Sequence, residues 1–540
     1  MSARTALVGG LSLGVAALAV ASLPSTASAC GGCFCANFTQ PIVQTGENIV
    51  FSVEDDGSIE AQVQIFYQGP ANEFAWVVPT PSLPTISMGT DALFAQLELA
   101  TRPKFEITRE QTGACRSPLC TWPPGGGPRD GGAFSDSAAP YPGSVDVAFH
   151  GNVGPYDAAV LSATDTGALY DWLNTYDYLI PDEARPEIDS YVARGSYFVA
   201  LRLQKDRAVG EIQPIVLHYT SGEPCIPIRL TRIATVDDMP IRAYFLASTG
   251  FRSSNYTMLT PDLTDDERLF LGMRSYESVV TNAVDDAGGR AFVTDYRGAP
   301  PPLMLVVPSI EDMRTYTDAK TFLAWLVMRG FATDSQLLAI LTRMIPVPDG
   351  VDPNLFFSCA TQFRCSLYDT YLAALAFDPS ALVDALNDGI VTPRAHAQAL
   401  VEHHAKLTRL FTTMSAADMT EDPVFFPAPA ARDVSNLHTA RAIIECTPDY
   451  LVTQAPSTLV LPSGRRVHYP GTPYLGTDTE YCASRGMIPV PEAVPGPAVD
   501  HFGAGGTCSV SARAARTSGG VLALLVAVLG VAGTRRRRRS

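Results

Sequence analysis

From Ile49 to Tyr67 the chain alternates apolar and polar positions about a single turn, and a period of two admits paired strands and little else. Ile49, Phe51 and Val53 alternate with less apolar neighbours, and Asp55-Asp56-Gly57-Ser58 carries the Asp-Gly step of a tight hairpin. Ile59, Ala61, Val63, Ile65 and Tyr67 then alternate with Glu60, Gln62 and Gln64, which predicts a strand with one wet face. Phe74 to Val78 predicts a third strand closed by Pro79, and Asp91 to Ala100 a helix.

Residues 116–143, with Trp122-Pro123-Pro124-Gly125-Gly126-Gly127-Pro128, have no periodicity and predict a loop. Asp165 or Thr166 caps a helix through Leu169, Trp172 and Leu173. Strands are expected at 197–203, 215–219, 226–233 and 242–246, with Pro227 placing its strand at an edge or a start. From about 315 the period changes to that of a helix. Phe322, Leu323, Leu326 and Val327 form a stripe ended by Gly330, and Thr333 with Gln336 reads as a capping box. Ser380 starts a further helix that Gly389 ends, and Thr392-Pro393 opens a longer one reaching about Thr413. The expected fold class is α+β: a β-rich antiparallel part over 30–304, a helical region over 305–439 and a Cys-containing extended stretch over 440–487, braced by disulfides.

The two ends bear on location. One charge, Arg4, precedes an apolar run from Ala6 to Leu23, and Ala27-Ser28-Ala29 stands before Cys30. This is the pattern of a secretory signal peptide over 1–29, cleaved between Ala29 and Cys30. Lipidation at Cys30 is the alternative, and the small Ala27 argues for ordinary cleavage. At the other end a linker over 488–518 holds Cys508. Gly519 to Thr534 is apolar or small throughout, and Arg535 to Arg539 follow. Sixteen helical residues reach roughly 24 Å, short of the ~30 Å hydrocarbon core, so the segment spans only marginally, with residues 535–540 cytoplasmic.

The eleven cysteines are Cys30, Cys33, Cys35, Cys115, Cys120, Cys225, Cys359, Cys365, Cys446, Cys482 and Cys508. Setting Cys508 aside leaves an even number, which suits bridging in an oxidising compartment. Cys115 with Cys120 and Cys359 with Cys365 are close enough for local loops, and Cys446 with Cys482 makes a longer pair. Eight of the 39 basic residues lie in the two ends, which leaves 31 against 55 acidic residues and a net charge of −24 on residues 30–508. Such a body repels phosphate backbones, which excludes nucleic acid as a partner.

Two resemblances carry more. Cys30-Gly31-Gly32-Cys33-Phe34-Cys35, Tyr67-Gln68-Gly69-Pro70, Phe74-Ala75-Trp76-Val77-Val78-Pro79, Tyr170-Asp171-Trp172-Leu173-Asn174 and Asp422-Pro423-Val424-Phe425 resemble the domain-of-unknown-function family numbered 2330, over residues 30–430. That resemblance implies a secreted bacterial protein and supplies no catalytic residue. The order of short motif, weak apolar helix and Arg cluster over 505–540 resembles the MYXO-CTERM type of bacterial sorting tail. It implies that Cys508 marks processing and lipid attachment, and that the body is passed to the outer surface.

No Walker or dinucleotide motif appears and the body over 30–508 lacks Gly-x-Ser-x-Gly, so no catalytic residue is assigned, no cofactor is expected, and the reading leans away from an enzyme. Cys30-x-x-Cys33 has redox spacing but lies outside any βαβ pattern, so it reads as structural. His396, His403 and His404 are the one histidine concentration and weak metal candidates, although their spacings of seven, eight and one are not those of a zinc helix. His404 is expected on a buried helical stripe with Leu400, Leu407 and Phe411. The acidic runs Glu54-Asp55-Asp56, Asp262 to Glu267 and Asp418, Glu421, Asp422 read as solvated turns and helix starts. The expected function is a non-enzymatic binding module at the cell surface. Its expected partners are the membrane through its tail, the export and sorting machinery, and an envelope or extracellular ligand. The alternatives are a metal-dependent hydrolase using the 393–413 helix and a purely structural envelope component.

Overall fold

The hairpin at 49–67 seeds the largest sheet. The computed structural model describes residues 43–69, 74–117, 120–121, 147–163, 165–176, 178, 180–204, 211–220, 222–476, 481 and 488–489. Val43–Val53 pairs antiparallel with Ile59–Gln68, setting Phe51 opposite Ala61 and Ile49 opposite Val63. Gly57 takes the turn at φ 85°, a conformation that glycine adopts without a Cβ penalty. The sheet grows to eight strands in the order Thr257–Leu259, Ala291–Gly298, Lys406–Met414, Met239–Ala247, Val43–Val53, Ile59–Gln68, Ile215–Tyr219, Thr85–Met88. Two of its pairings are parallel: Val43–Val53 with Met239–Ala247, and Thr257–Leu259 with Ala291–Gly298.

A second sheet, wholly antiparallel, runs Ala75–Thr80, Tyr197–Leu203, Tyr156–Ser162, Val147–Val153. Strand alternation then decides the layers. Ile49, Phe51, Ala61, Val63, Leu217 and Phe245 of the first sheet share one core with Trp76, Val78, Val160, Val199 and Leu201 of the second. The residues between them face outward onto helices. Val50, Tyr244 and Leu246 meet Leu93 and Leu97 of Asp91–Thr101 and Ala397 of Thr392–His403. Ala75, Val77, Phe198 and Ala200 meet Leu169 and Leu173 of Thr166–Thr175 and Ile188 of Arg185–Ala193. The result is two sheets face to face with helices outside each. Residues 310–391 form a separate helical core around Phe322, Leu326, Leu341, Phe356 and Leu386. The fold is thus α+β, with the β-rich part ahead of the helices, and braced by disulfides.

A third sheet joins distant segments. Leu437–Cys446 lies parallel to Lys104–Gly113, with Cys446 opposite Gly113, and Cys115 is bonded to Cys446 across 331 residues. Cys359 is bonded to Cys365 as expected. The expected pairs Cys115–Cys120 and Cys446–Cys482 are replaced, because the parallel register brings Cys446 to Cys115. Cys225, counted among the bridging cysteines, carries a free thiol. A second unit, residues 118–124 and 476–540, contributes the pairing of Ile488–Pro489 with Cys120–Thr121. Residues 1–29, Cys30, Cys33, Cys35, Cys482, Cys508 and the 519–534 segment lie outside the described residues. Among the described residues no helix is long and apolar enough to cross a membrane.

Four local expectations give way. The helix opened at Thr392 ends at His403, and Lys406–Met414 is a central strand bonded to Met239–Ala247 and Ala291–Gly298. Its Thr408, Thr412 and Thr413 suit a strand, and burial on both faces hides the period of two. The 305–439 region is therefore not helical throughout. Of the expected strand at 226–233, Ile228–Thr231 is a helical turn entered through Pro227. Asp334, not Thr333, caps Ser335–Met344, its carboxylate accepting from Leu337 N at 2.9 Å. Gly389 does not end a helix but sits inside a wide turn, Asn387–Val391, that runs on into the next one.

Candidate functional site

The inward face of the large sheet carries one misfit. Glu47 has the parity of Ile49 and Phe51, so its carboxyl enters the apolar space between the sheets. The residue is 4% exposed, and its one described partner is Gln44, whose Nε2 donates to Oε2 at 3.1 Å. The Gln44 carbonyl Oε1 is itself buried without a partner among the described residues. No lysine, arginine or histidine pairs with Glu47 among the described residues. Burial therefore pushes its pKa from 4.5 up to about 7, against the smaller opposing effect of the Gln44 hydrogen bond.

Glu47 lines a cavity of about 240 Å³. Ile49, Phe51, Ala61, Val63, Leu217 and Tyr219 of the large sheet form one wall, and Trp76 to Thr80 of the second sheet the other. The third side is the Cys225-Ile226-Pro227 segment, held by a bridge between Cys225 and Val424. Asp422 closes the polar end. It is 6% exposed and accepts from Tyr191 Oη at 2.8 and 2.7 Å and from Arg229 N at 3.1 Å. Arg194 lies 3.6 Å from Asp422 and stacks 4.5 Å above the Tyr191 ring. Burial raises the pKa of Asp422, and burial with the nearby Asp422 charge holds the Cys225 thiol and the Tyr191 hydroxyl protonated. A thiol held that way is a poor nucleophile.

The histidines chosen from the sequence are brought to the opposite face of the sheet, and each faces a glutamate. His396 Nε2 is 2.9 Å from Glu60, His403 Nε2 3.4 Å from Glu54 and His404 Nε2 3.3 Å from Glu54. Ser52 Oγ lies 2.6 Å from His404 Nε2 and donates to Glu54 Oε1 at 3.0 Å. This Ser-His-Glu grouping is no triad, because serine and carboxylate share one ring nitrogen and Ser52 is buried. His404 does not stand on a helical stripe with Leu407 and Phe411, since those two belong to the strand. Among the described residues no group of three histidine, cysteine or acidic side chains is arranged to hold a metal ion.

Residues 24–296 match the family model described as an uncharacterized protein conserved in bacteria, DUF2330. The chain belongs to this family. No curated protein and no solved structure matches it. The DUF2330 match ends short of the 430 expected from the sequence, and the resemblance of the C-terminal tail lies outside it. All the residues lining the cavity except Asp422 fall inside the match, so the DUF2330 segment itself builds the cavity.

Sequence reasoning missed this DUF2330 site. Asp422 read as part of a solvated acidic turn, and the contact with Tyr191, 231 residues away, shows otherwise. Cys225 read as a bridging cysteine. Glu47 did carry a signal: it stands two residues before Ile49, on the inward parity of a strand already recognised.

Proposed function

We propose that the protein is an exported, surface-held binding protein that takes a small molecule between its two sheets. The observation that carries this reading is the inter-sheet cavity of about 240 Å³ with a buried carboxyl, Glu47, that has no cationic partner among the described residues. An apolar hollow with a few convergent polar groups and a strongly perturbed acid is the usual form of a ligand site. Export and retention at the surface are supported by the signal-like 1–29 segment and by the tail from Cys508 onward.

Native mass spectrometry of the exported full chain tests the binding role. The expected result is a noncovalent small-molecule adduct on the wild type that is missing from Leu217→Trp, in which the new ring fills the cavity. A bare wild type, or an adduct kept by Leu217→Trp, overturns the reading. Surface retention is tested by Cys508→Ala: the variant keeps its tail mass and stays in the inner membrane. If it reaches the surface at the processed mass, the sorting role of Cys508 falls.

A further inference from the structure

We propose that the cavity takes a small organic cation, an ammonium or amidinium group on a compact apolar body, with the Glu47 carboxylate as its counter-charge. The inference rests on the binding reading above and names its ligand class. Three observations lead to it. The first is the charge of the lining. Glu47, Glu223 and Asp422 stand against Arg194 alone, and Arg194 is engaged by Asp422. An anion entering this space would meet three carboxyls and one cation already taken. The second is the hydrogen-bonding balance at the buried acid. Glu47 Oε1 is bonded to no described residue, and the neighbouring Gln44 Oε1 is a buried acceptor without a donor among the described residues. The local lack is of donors, and an ammonium brings donors and no acceptor. A neutral apolar guest would leave the acid as it is. The third is the walls. Phe51, Trp76, Tyr191 and Tyr219 line the same space, and aromatic faces attract a cation that has left water. The acidic body, −24 over residues 30–508, draws cations toward the protein as a whole.

Bringing a cation to an unpaired buried carboxylate also removes the reason for the acid to hold its proton. The ion pair forms inside an apolar enclosure, where attraction between charges is stronger than in water. Binding therefore selects the ionised form of Glu47, and the preference for a charged guest over its uncharged twin resides in that one carboxyl.

The test is isothermal titration calorimetry of the purified full chain at about pH 8, where Glu47 is ionised. The probes are 2-phenylethylammonium, its uncharged twin 2-phenylethanol, and phenylacetate. The expected result is that the ammonium binds at least about tenfold more tightly than the alcohol and that phenylacetate does not bind. In Glu47→Gln the alcohol keeps its affinity, and the ammonium falls to within about threefold of it. Leu217→Trp loses both. If the wild type binds the alcohol as tightly as the ammonium, or if the preference survives in Glu47→Gln, the cation inference is overturned while the cavity reading stands. If none of the three probes binds the wild type, or Leu217→Trp retains them, both fall.

Discussion

Glu47→Gln should make this protein more stable, and only above a particular pH. In the folded state burial moves the carboxyl from its ordinary 4.5 to about 7. Below the lower value the residue is protonated whether the chain is folded or not, so it adds nothing to the pH dependence. Between the two values the unfolded chain releases a proton that the folded chain keeps. The unfolded state gains by that release, and stability falls as pH rises. Above about 7 the loss is complete, and the gap corresponds, at about 1.4 kcal/mol per pH unit, to about 3 kcal/mol. Glutamine has the same shape, still meets Gln44 and never ionises. Urea unfolding with the disulfides intact measures the difference between variant and wild type. The difference should be near zero at about pH 4, should open through about pH 6, and should level at about 3 kcal/mol in favour of Glu47→Gln by about pH 8. Other titrating groups, such as Asp295, are common to both proteins and cancel. A difference that stays flat with pH, or that favours the wild type at about pH 8, would refute the assignment of Glu47 as an unpaired buried acid.

Other consequences of the structure are open to the same assay. Removing the Cys115–Cys446 bridge with paired serines should cost about 5 kcal/mol and removing Cys359–Cys365 about 2 kcal/mol, because the closed loops differ so much in length; equal losses would contradict this. Asp295→Asn should cost about 3–5 kcal/mol, since Arg409, 2.9 Å away and as deeply buried, loses a counter-charge that Tyr276 also helps to hold; a change within about 0.5 kcal/mol would show that Glu98 suffices as its partner. Gly113→Ala should cost about 2 kcal/mol or more, because φ is 74° and a Cβ would lie 2.3 Å from the Cys446 carbonyl oxygen; an unchanged midpoint would mean that the third sheet is not closed as described. Purified protein offered zinc should hold none at His396, His403 and His404, so metal content should be the same in the triple alanine variant; a stoichiometric loss would restore the metal reading.

The parts of the fold legible in the sequence are those whose partners lie nearby. The hairpin at 49–67 declares itself through alternation and the Asp-Gly turn, and Asp165 declares a helix by capping Gly167 and Ala168. What the sequence could not show depends on distant pairing. Phe74-Ala75-Trp76-Val77-Val78 reads as a strand, but its place in a second sheet depends on Tyr197–Leu203. Leu407, Leu410 and Phe411 fit a helical stripe as well as a strand, and the choice is made by two strands that bond Lys406–Met414 from either side. The same holds for the site. The histidines drew attention by standing close together, and each is taken up by a glutamate from the hairpin beneath. The acids that line the cavity stand singly in the sequence or in a run that looks solvated.

The position of Glu47 is informative because polar company is one register step away. Its neighbour Asn48 points to the other face and accepts a place beside Gln64, whose Oε1 takes the Asn48 amide at 2.7 Å. Gln62 and Glu60 stand on the same hairpin and hydrogen-bond each other at 2.9 Å, and His396 adds a positive charge there when protonated. A carboxyl on that face would find donors and a cation. On the inward face it finds one amide, and at neutral pH it costs the fold about 3 kcal/mol. Leucine at this position would satisfy the alternation of the strand, and either leucine or glutamine would remove the cost of ionisation. A local choice that works against the surrounding core, with no cationic partner among the described residues, is what a binding residue looks like before its ligand arrives. An ammonium at Glu47 would supply the missing partner, turning a destabilising group in the inter-sheet core into the source of its selectivity.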